Sequence, residues 1–250
     1  MAGAAWLTSR PIAHRGLHGA ETGAAENALS AAAAAIDGGY AIEVDLQLSA
    51  DAVPMVFHDG SLDRMTNAEG PMRAWTAREL AGVTLRGTSE AIPTLAALLA
   101  TVAGRTPLVL ELKTEWQRDR DPALARHTAE ALAGYDGPVA IMSFDPELVA
   151  ASRRLMPDRP HGIVACDSSN ARDFPRLSVM ERFALTHLLH APRTRPDFVA
   201  YRIQDLPTGS TTLLRRLFGV PLLTWTVRTQ AERQKAARVA DQMIFEGFRA

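Results

Sequence analysis

The stretch Tyr40–Asp59, YAIEVDLQLSADAVPMVFHD, decides how the rest of the chain is read. Two apolar runs, 41–48 and 53–57, flank Ser49-Ala50-Asp51-Ala52, a polar break of turn-forming residues. The Val, Ile and Phe content of both runs predicts strands. A parallel crossover needs on the order of a dozen residues, so this break can only close an antiparallel hairpin. Strand alternation then puts Glu43 and Asp45 on one face. The return arm brings His58 and Asp59 back beside them. Two carboxylates buried that closely repel each other unless a cation neutralises them. The hairpin therefore asks for a metal.

Working outward, short apolar runs alternate with helical patterns along most of the chain. Strands are expected around residues 12, 43, 110, 141, 163, 199, 225 and 244. Eight strands alternating with helices predict a TIM (β/α)8 barrel, with a doubly wound open sheet as the alternative. Asn27 is read as the cap of a helix carrying Leu29, Ala32, Ala33 and Ile36, stopped at Gly38-Gly39. Leu95, Leu98, Leu99 and Val102 form a helix face closed by Gly104, and Asp121-Pro122 and Asp145-Pro146 read as helix starts. A helix is expected within 175–189, another from Ser210 through Leu213, Leu214 and Leu217, and a last one behind a Thr229–Glu232 capping box. Residues 60–92 are mixed and polar, with one short helical candidate near Thr76–Ala81, and predict a small excursion after the hairpin at the top of the second strand. Only five residues follow the last strand, so the helices between His58 and Leu108 are expected to supply the cover of an eighth helix. No linker or short repeat divides the chain, and a single domain over 1–250 is expected.

Composition excludes several classes. Lysine plus arginine (27) nearly equals aspartate plus glutamate (28), so no global field points to nucleic acid or an anionic membrane, although a local cationic site remains open. The single cysteine, Cys166, cannot form an internal disulfide and reads as a buried structural thiol of a reducing compartment. The N-terminal residues show no basic-then-apolar leader pattern, and no apolar run has the length of a membrane span. A cytoplasmic location, with no stable membrane insertion, is the expectation.

In a barrel the chemistry lies at the C-terminal strand ends. There the sequence sets His14-Arg15 on the first strand, Glu43 and Asp45 on the second, and Glu111 and Lys113 on the third, with His58 returning from the hairpin. Each piece alone has an ordinary structural reading, such as a solvated face or a surface ion pair. The apolar flanks AIEVDL and LVLELK change that, because charges inside runs buried on both faces are rarely decorative. His18, His127, His161, His187 and His190 lack such a context and read as structural. Hard oxygen donors without a neighbouring cysteine favour Mg²⁺ or Ca²⁺ over zinc. Such a cation with Arg15 and Lys113 suits a phosphoryl group, and two histidines across it suit general acid–base work. There is no nucleophile elbow and no P-loop. The pieces fit metal-assisted phosphodiester cleavage.

The ordered motifs HRG, E-N, E-V-D, V-F-H-D, L-D-R-x-T, I-P-T-L, L-E-L-K, S-F-D and W-T-V, from Ala13 to about Ile244, resemble the glycerophosphodiester phosphodiesterases. The resemblance implies a TIM-barrel hydrolase that uses a divalent cation to cleave glycerophosphodiesters to glycerol 3-phosphate and an alcohol. By position it implies His14 and His58 as the acid–base pair and Glu43, Asp45 and Glu111 as metal ligands. It further implies Arg15 and Lys113 at the phosphate, with Glu26 lining the site. Two motifs depart from the family pattern: P-E-N-T appears as Ala25-Glu26-Asn27-Ala28, and the final T-D-x-P as Phe245-Glu246-Gly247-Phe248. No serine or cysteine stands at a matching strand end, so the attacking oxygen is expected from water or from the substrate. A glycerol hydroxyl beside the phosphodiester is already held close, which predicts a cyclic phosphate intermediate. Rival readings are a phospholipase D-like enzyme on choline lipids and a phosphate-binding barrel without turnover. The complete set of histidines and acids argues against the latter.

Overall fold

A strand that buries both faces must satisfy its backbone through neighbours on each side, and Ala41–Leu48 does so. The computed structural model describes residues 5–114, 116 and 122–250. They group into two units, Ile12–Lys113 with Asp121–Val139, and Met1–Pro11 with Thr114–Arg120 and Ala140–Ala250.

The unit built on Ile12–Lys113 contains strand β1 (Ile12–His14), helix α1 (Leu29–Asp37), β2 (Ala41–Leu48), β3 (Pro54–Val56), the short α2 (Ala77–Leu80), α3 (Leu95–Val102), β4 (Leu108–Leu112) and α4 (Ala123–Leu132). β2 lies parallel to β1 and β4, with His14 opposite Glu43 and Asp45 opposite Glu111. The expected hairpin is present: β3 runs antiparallel to β2, pairing Leu46 with Val56 and Leu48 with Pro54. The excursion is not a surface loop. Leu62, Met72, Leu80 and Leu85 are essentially fully buried and pack with Met55 and Phe57 of the hairpin arm. At Leu or Met positions of this kind, truncation to Ala costs ~2–5 kcal/mol. The capping box of Thr76 and Glu79 forms α2 where the sequence placed its short helix. Gly16 is required by close approach, because a Cβ there would meet the Ala31 backbone of α1 at 2.8 Å.

The other unit contains β5 (Val139–Ser143), α5 (Pro146–Leu155), β6 (His161–Ala165), α6 (Val179–Thr186), α7 (Ala191–Thr194), β7 (Phe198–Arg202), α8 (Gly209–Phe218), β8 (Leu222–Val227), α9 (Gln230–Val239) and β9 (Gln242–Phe245). Within it β6, β7, β8 and β9 pair in parallel in sequence order. Ile163, Val199, Tyr201 and Leu222 of its strands pack with Val149 of α5 and Leu188 in one apolar cluster. The order β1-β9-β8-β7-β6-β5-β4-β2-β3, with β1 also paired to β2, is that of a TIM (β/α)8 barrel bearing one extra antiparallel strand.

Several local expectations change. The cap of α1 is Ala28 without a side-chain bond, because Asn27 has turned away with φ 62°. α3 ends through two successive positive-φ residues, its C-cap Ala103 at 47° and then Gly104 at 72°. α4 begins after Pro122 rather than with it, and Asp121 lies outside the described residues. The helix expected within 175–189 is α6, capped by Ser178, and the one-turn α7 follows beyond it. Thr208 rather than Ser210 caps α8, and Leu213 and Leu217, 50 % and 71 % exposed, do not face the core. The Asp145-Pro146 start of α5 and the Thr229–Glu232 capping box of α9 form as expected. Among the described residues no helix is long and apolar enough to cross a membrane. Cys166 is buried, and that burial pushes its thiol up to about 11.

Candidate active site

Parallel register alone assembles the acidic centre. Because β2 lies between β1 and β4, Glu43 is set beside His14 and Asp45 beside Glu111. Oxygen atoms of Glu43, Asp45 and Glu111 all lie within 4.8 Å of one another, and all three residues are buried. Glu43 accepts a 3.1 Å bond from the Arg15 backbone N–H through Oε2, while Oε1 is buried with no hydrogen-bond partner. Burial, then the charges of Asp45 and Glu111, push the Glu43 carboxyl well above the usual range. Asp45 goes the other way. Burial would raise it as well, but Lys113, His58 and Arg15 outweigh that and hold it far below the usual range.

The contacts explain the difference. Arg15 Nε stands 3.2 Å from Asp45 Oδ2 and Lys113 Nζ 3.4 Å from Oδ1. Lys113 also donates to Glu111 at 2.7 Å. Burial disfavours the Lys113 ammonium, yet Glu111 and Asp45 raise its pKa above the ordinary value. Asn27, which the sequence placed as a helix cap, instead donates to Asp45 Oδ2 at 3.0 Å and accepts the Asp45 backbone N–H at 3.3 Å. Arg15 and Asn27 both hold positive φ, 54° and 62°, a conformation uncommon outside glycine. Their backbones are joined by the Asn27 N–H to Arg15 carbonyl bond of 2.9 Å. The turn that follows β1 is thereby bent so that both side chains reach β2.

His58 arrives on the return arm, as expected, and is held from two sides. Gln47 Nε2 donates to the carbonyls of Phe57, His58 and Asp59 at 3.1, 2.9 and 2.6 Å. The His58 Nδ1 lies 2.7 Å from Asp59 Oδ1. Burial, opposed by the charge of Asp45, leaves the imidazole below its ordinary pKa. His14 Nε2 stands 3.9 Å from Glu43 Oε2.

Glu26 sits one layer further out. It accepts from Arg15 Nη1 at 2.9 Å and from Arg64 Nη2 at 2.6 Å. Burial would raise its carboxyl, but the Arg64 hydrogen bond and the Arg15 charge lower it. Arg64 also holds Asp59 through two bonds of 2.6 and 3.0 Å. A continuous chain of contacts thus runs from His58 through Asp59, Arg64, Glu26 and Arg15 to Asp45. The sequence reading assigned no role to Asp59, Arg64 or Gln47. The L-D-R-x-T motif contained Arg64, but the four intervening residues 60–63 hid its return to Asp59. Among the charges of the altered final motif, Glu246 pairs with Arg228 at 3.2 Å.

The donor set fits a divalent cation. Three buried carboxylates meet, one with an acceptor-only oxygen that no N–H reaches, and no sulfur ligand stands among them.

The chain is similar to known proteins over nearly its whole length. Residues 14–247 match the Glycerophosphoryl diester phosphodiesterase family. YhdW of Bacillus subtilis (strain 168) is 26% identical over 231 residues, covering 88% of this chain and 86% of that protein. An Oleispira antarctica phosphodiesterase, solved in complex with the product sn-glycerol-3-phosphate, superposes with a TM-score of 0.77 at 21% identity over 95% of this chain and 92% of that one. The glycerophosphodiester phosphodiesterase of Thermotoga maritima gives 0.71 at 23% identity, over 94% and 92%. With the family match spanning all the acidic and histidine positions above, the chain belongs to the glycerophosphoryl diester phosphodiesterase family and is a phosphoric diester hydrolase.

Proposed function

We propose that the protein hydrolyses glycerophosphodiesters to glycerol 3-phosphate and an alcohol, with Mg²⁺ or Ca²⁺ held by Glu43, Asp45 and Glu111. One observation carries this reading: three buried carboxylates within 4.8 Å, one of them with an unbonded oxygen. When bound, the cation would neutralise this cluster and withdraw electron density from the phosphoryl group. Arg15 and Lys113, poised beside Asp45, would meet the remaining phosphate charge.

The histidines carry the protons. With Nδ1 tied to Asp59, His58 presents Nε2 to the substrate, and burial favours its neutral form. It suits the base that takes the proton of the glycerol 2-hydroxyl as that oxygen forms its bond to phosphorus. His14 then gives a proton to the departing alcohol oxygen as the old P–O bond breaks. The five-membered cyclic phosphate so formed is opened by water, with His14 taking the water proton and His58 returning one to the 2-oxygen. Intramolecular attack is favoured because the hydroxyl is already within reach.

The test is a panel of glycerophosphodiesters assayed for glycerol 3-phosphate with and without chelator, alongside a substrate lacking the 2-hydroxyl. Turnover should vanish on chelation and return with Mg²⁺ or Ca²⁺, and the deoxy substrate should bind but turn over orders of magnitude more slowly. Unchanged turnover under chelation sinks the metal role; rapid cleavage of the deoxy substrate makes water the first nucleophile.

A further inference from the structure

Among the described residues, nearly every large hydrophobic side chain left in solvent lies on α6, α8 or the segment between α6 and α7. α6 exposes Val179, Met180 and Phe183, which recur one and four positions apart on a single stripe. Phe183 packs on the His187 ring at 4.4 Å, and His187 lines a cleft of about 1200 Å³ shared with α8. Leu188, Leu189, Leu213, Leu214, Phe218 and Val220 form the apolar part of that cleft. Leu189 and Phe218 of its lining are 57 % and 65 % exposed, and Leu217, next to Phe218 on α8, is 71 % exposed. The apolar surface is therefore continuous from the helix stripe into a recess, and an isolated monomer has no use for it.

The charge around it leans positive, with Arg153, Arg159 and Arg195 against Asp158 and Asp197 in the cleft lining. Residues 175–195 and α8 together hold six arginines and one acid, Glu181, in a chain whose net charge is −1. Arg193 and Arg215 are paired with Glu147 and Asp241. Arg195 and Arg216 are exposed and have no acidic partner among the described residues. A second copy is a poor occupant, because a two-fold contact sets the same patch against itself and would bring arginine against arginine. Bulky apolar side chains beside long cationic ones, over a recess with room for acyl chains, are the composition of a surface that lies in a bilayer interface.

We propose that the α6–α8 face docks this protein peripherally on an anionic phospholipid surface. Leu189, Leu217, Phe218 and the α6 stripe enter the acyl boundary, and Arg195 and Arg216 meet the phosphate headgroups. None of these residues belongs to the acid–base or metal site, so the docking and the hydrolysis can be scored apart.

The test is co-sedimentation of the full chain with vesicles of phosphatidylcholine, with or without phosphatidylglycerol, at low and high salt. Binding should require phosphatidylglycerol and fall at high salt. The Leu217→Ser/Phe218→Ser and Arg195→Glu/Arg216→Glu variants should each bind roughly tenfold less or weaker still, while hydrolysing a soluble glycerophosphodiester like the parent, which also shows that they fold. Three results would overturn the proposal. The first is no vesicle binding, or equal binding to phosphatidylcholine alone. The second is a dimer by light scattering that Leu217→Ser/Phe218→Ser dissolves. The third is retention on polyglutamate without vesicle binding, which assigns the face to an acidic protein instead.

Discussion

Strands β2 and β6 both bury ionisable side chains almost completely, yet they treat the charge in opposite ways. Glu43 and Asp45 on β2 are 1 % exposed, and His161 on β6 is 0 % exposed. Asp45 keeps its charge because Arg15 and Lys113 converge on it. Burial, with the Arg153 charge, drives His161 down to about 4 against the weaker pull of Asp197, so it stays neutral. Burial by itself discharges a group; a second layer of opposite charge is needed to keep it ionised. Glu43, the less compensated member of the β2 pair, lacks such a layer, and a cation beside it would supply one.

The largest effect should come from removing the charge that β2 retains. Asp45→Asn leaves Arg15 and Lys113 facing a neutral amide, and divalent-cation binding by calorimetry and turnover should both fall to background. If Asp45→Asn binds and turns over like the parent, the charged row on β2 is structural and the contrast with β6 loses its meaning.

The histidines come next. His14→Ala and His58→Ala should each lower kcat by ~10²–10⁴-fold, and the double variant should be little worse than the poorer single one, since they would act as a unit. Multiplicative losses would show that they work independently. His161→Leu, by contrast, should leave kcat unchanged.

A smaller loss is expected at Arg64, which orients His58 only through Asp59. Displacing a catalytic group by about an ångström costs up to ~10²-fold. Arg64→Ala should lower kcat within that range with KM little changed, and Arg64→Lys, which keeps the charge but not the fork, should recover part of it. A pure KM effect would move Arg64 from positioning to substrate contact.

The last prediction concerns stability rather than turnover. The folded-state pKa of His161 lies below its ordinary value of 6.5, at about 4, so its neutral form is the one the fold accommodates. Its contribution is present above the unfolded value and is lost as pH falls from about 6.5 towards 4, by up to roughly 3 kcal/mol. Urea denaturation across that window should be flatter for His161→Leu than for the parent. An identical slope would mean that another group, such as the similarly depressed His190, carries the acid sensitivity.

Local pattern was enough for much of this protein. The hairpin, the alternation of strands with helices, the carboxylates of β2, the short helix at Thr76 and the capping box at Thr229 are set by residues a few positions apart, whose periodicity and hydrogen-bonding options are written in the chain itself. Tertiary structure alone decided the rest. Asn27 looks like a cap until Asp45, eighteen residues on, competes for its amide. Arg64 has no legible partner until the loop folds back to Asp59 and Glu26. The leucines of α8 have helical spacing, but which of them faces the core depends on what packs beside the helix, and Leu213 and Leu217 were left outside. Periodicity is a property of one segment; a partner, a pKa and the choice of buried face are properties of two segments meeting, and only the folded chain brings them together.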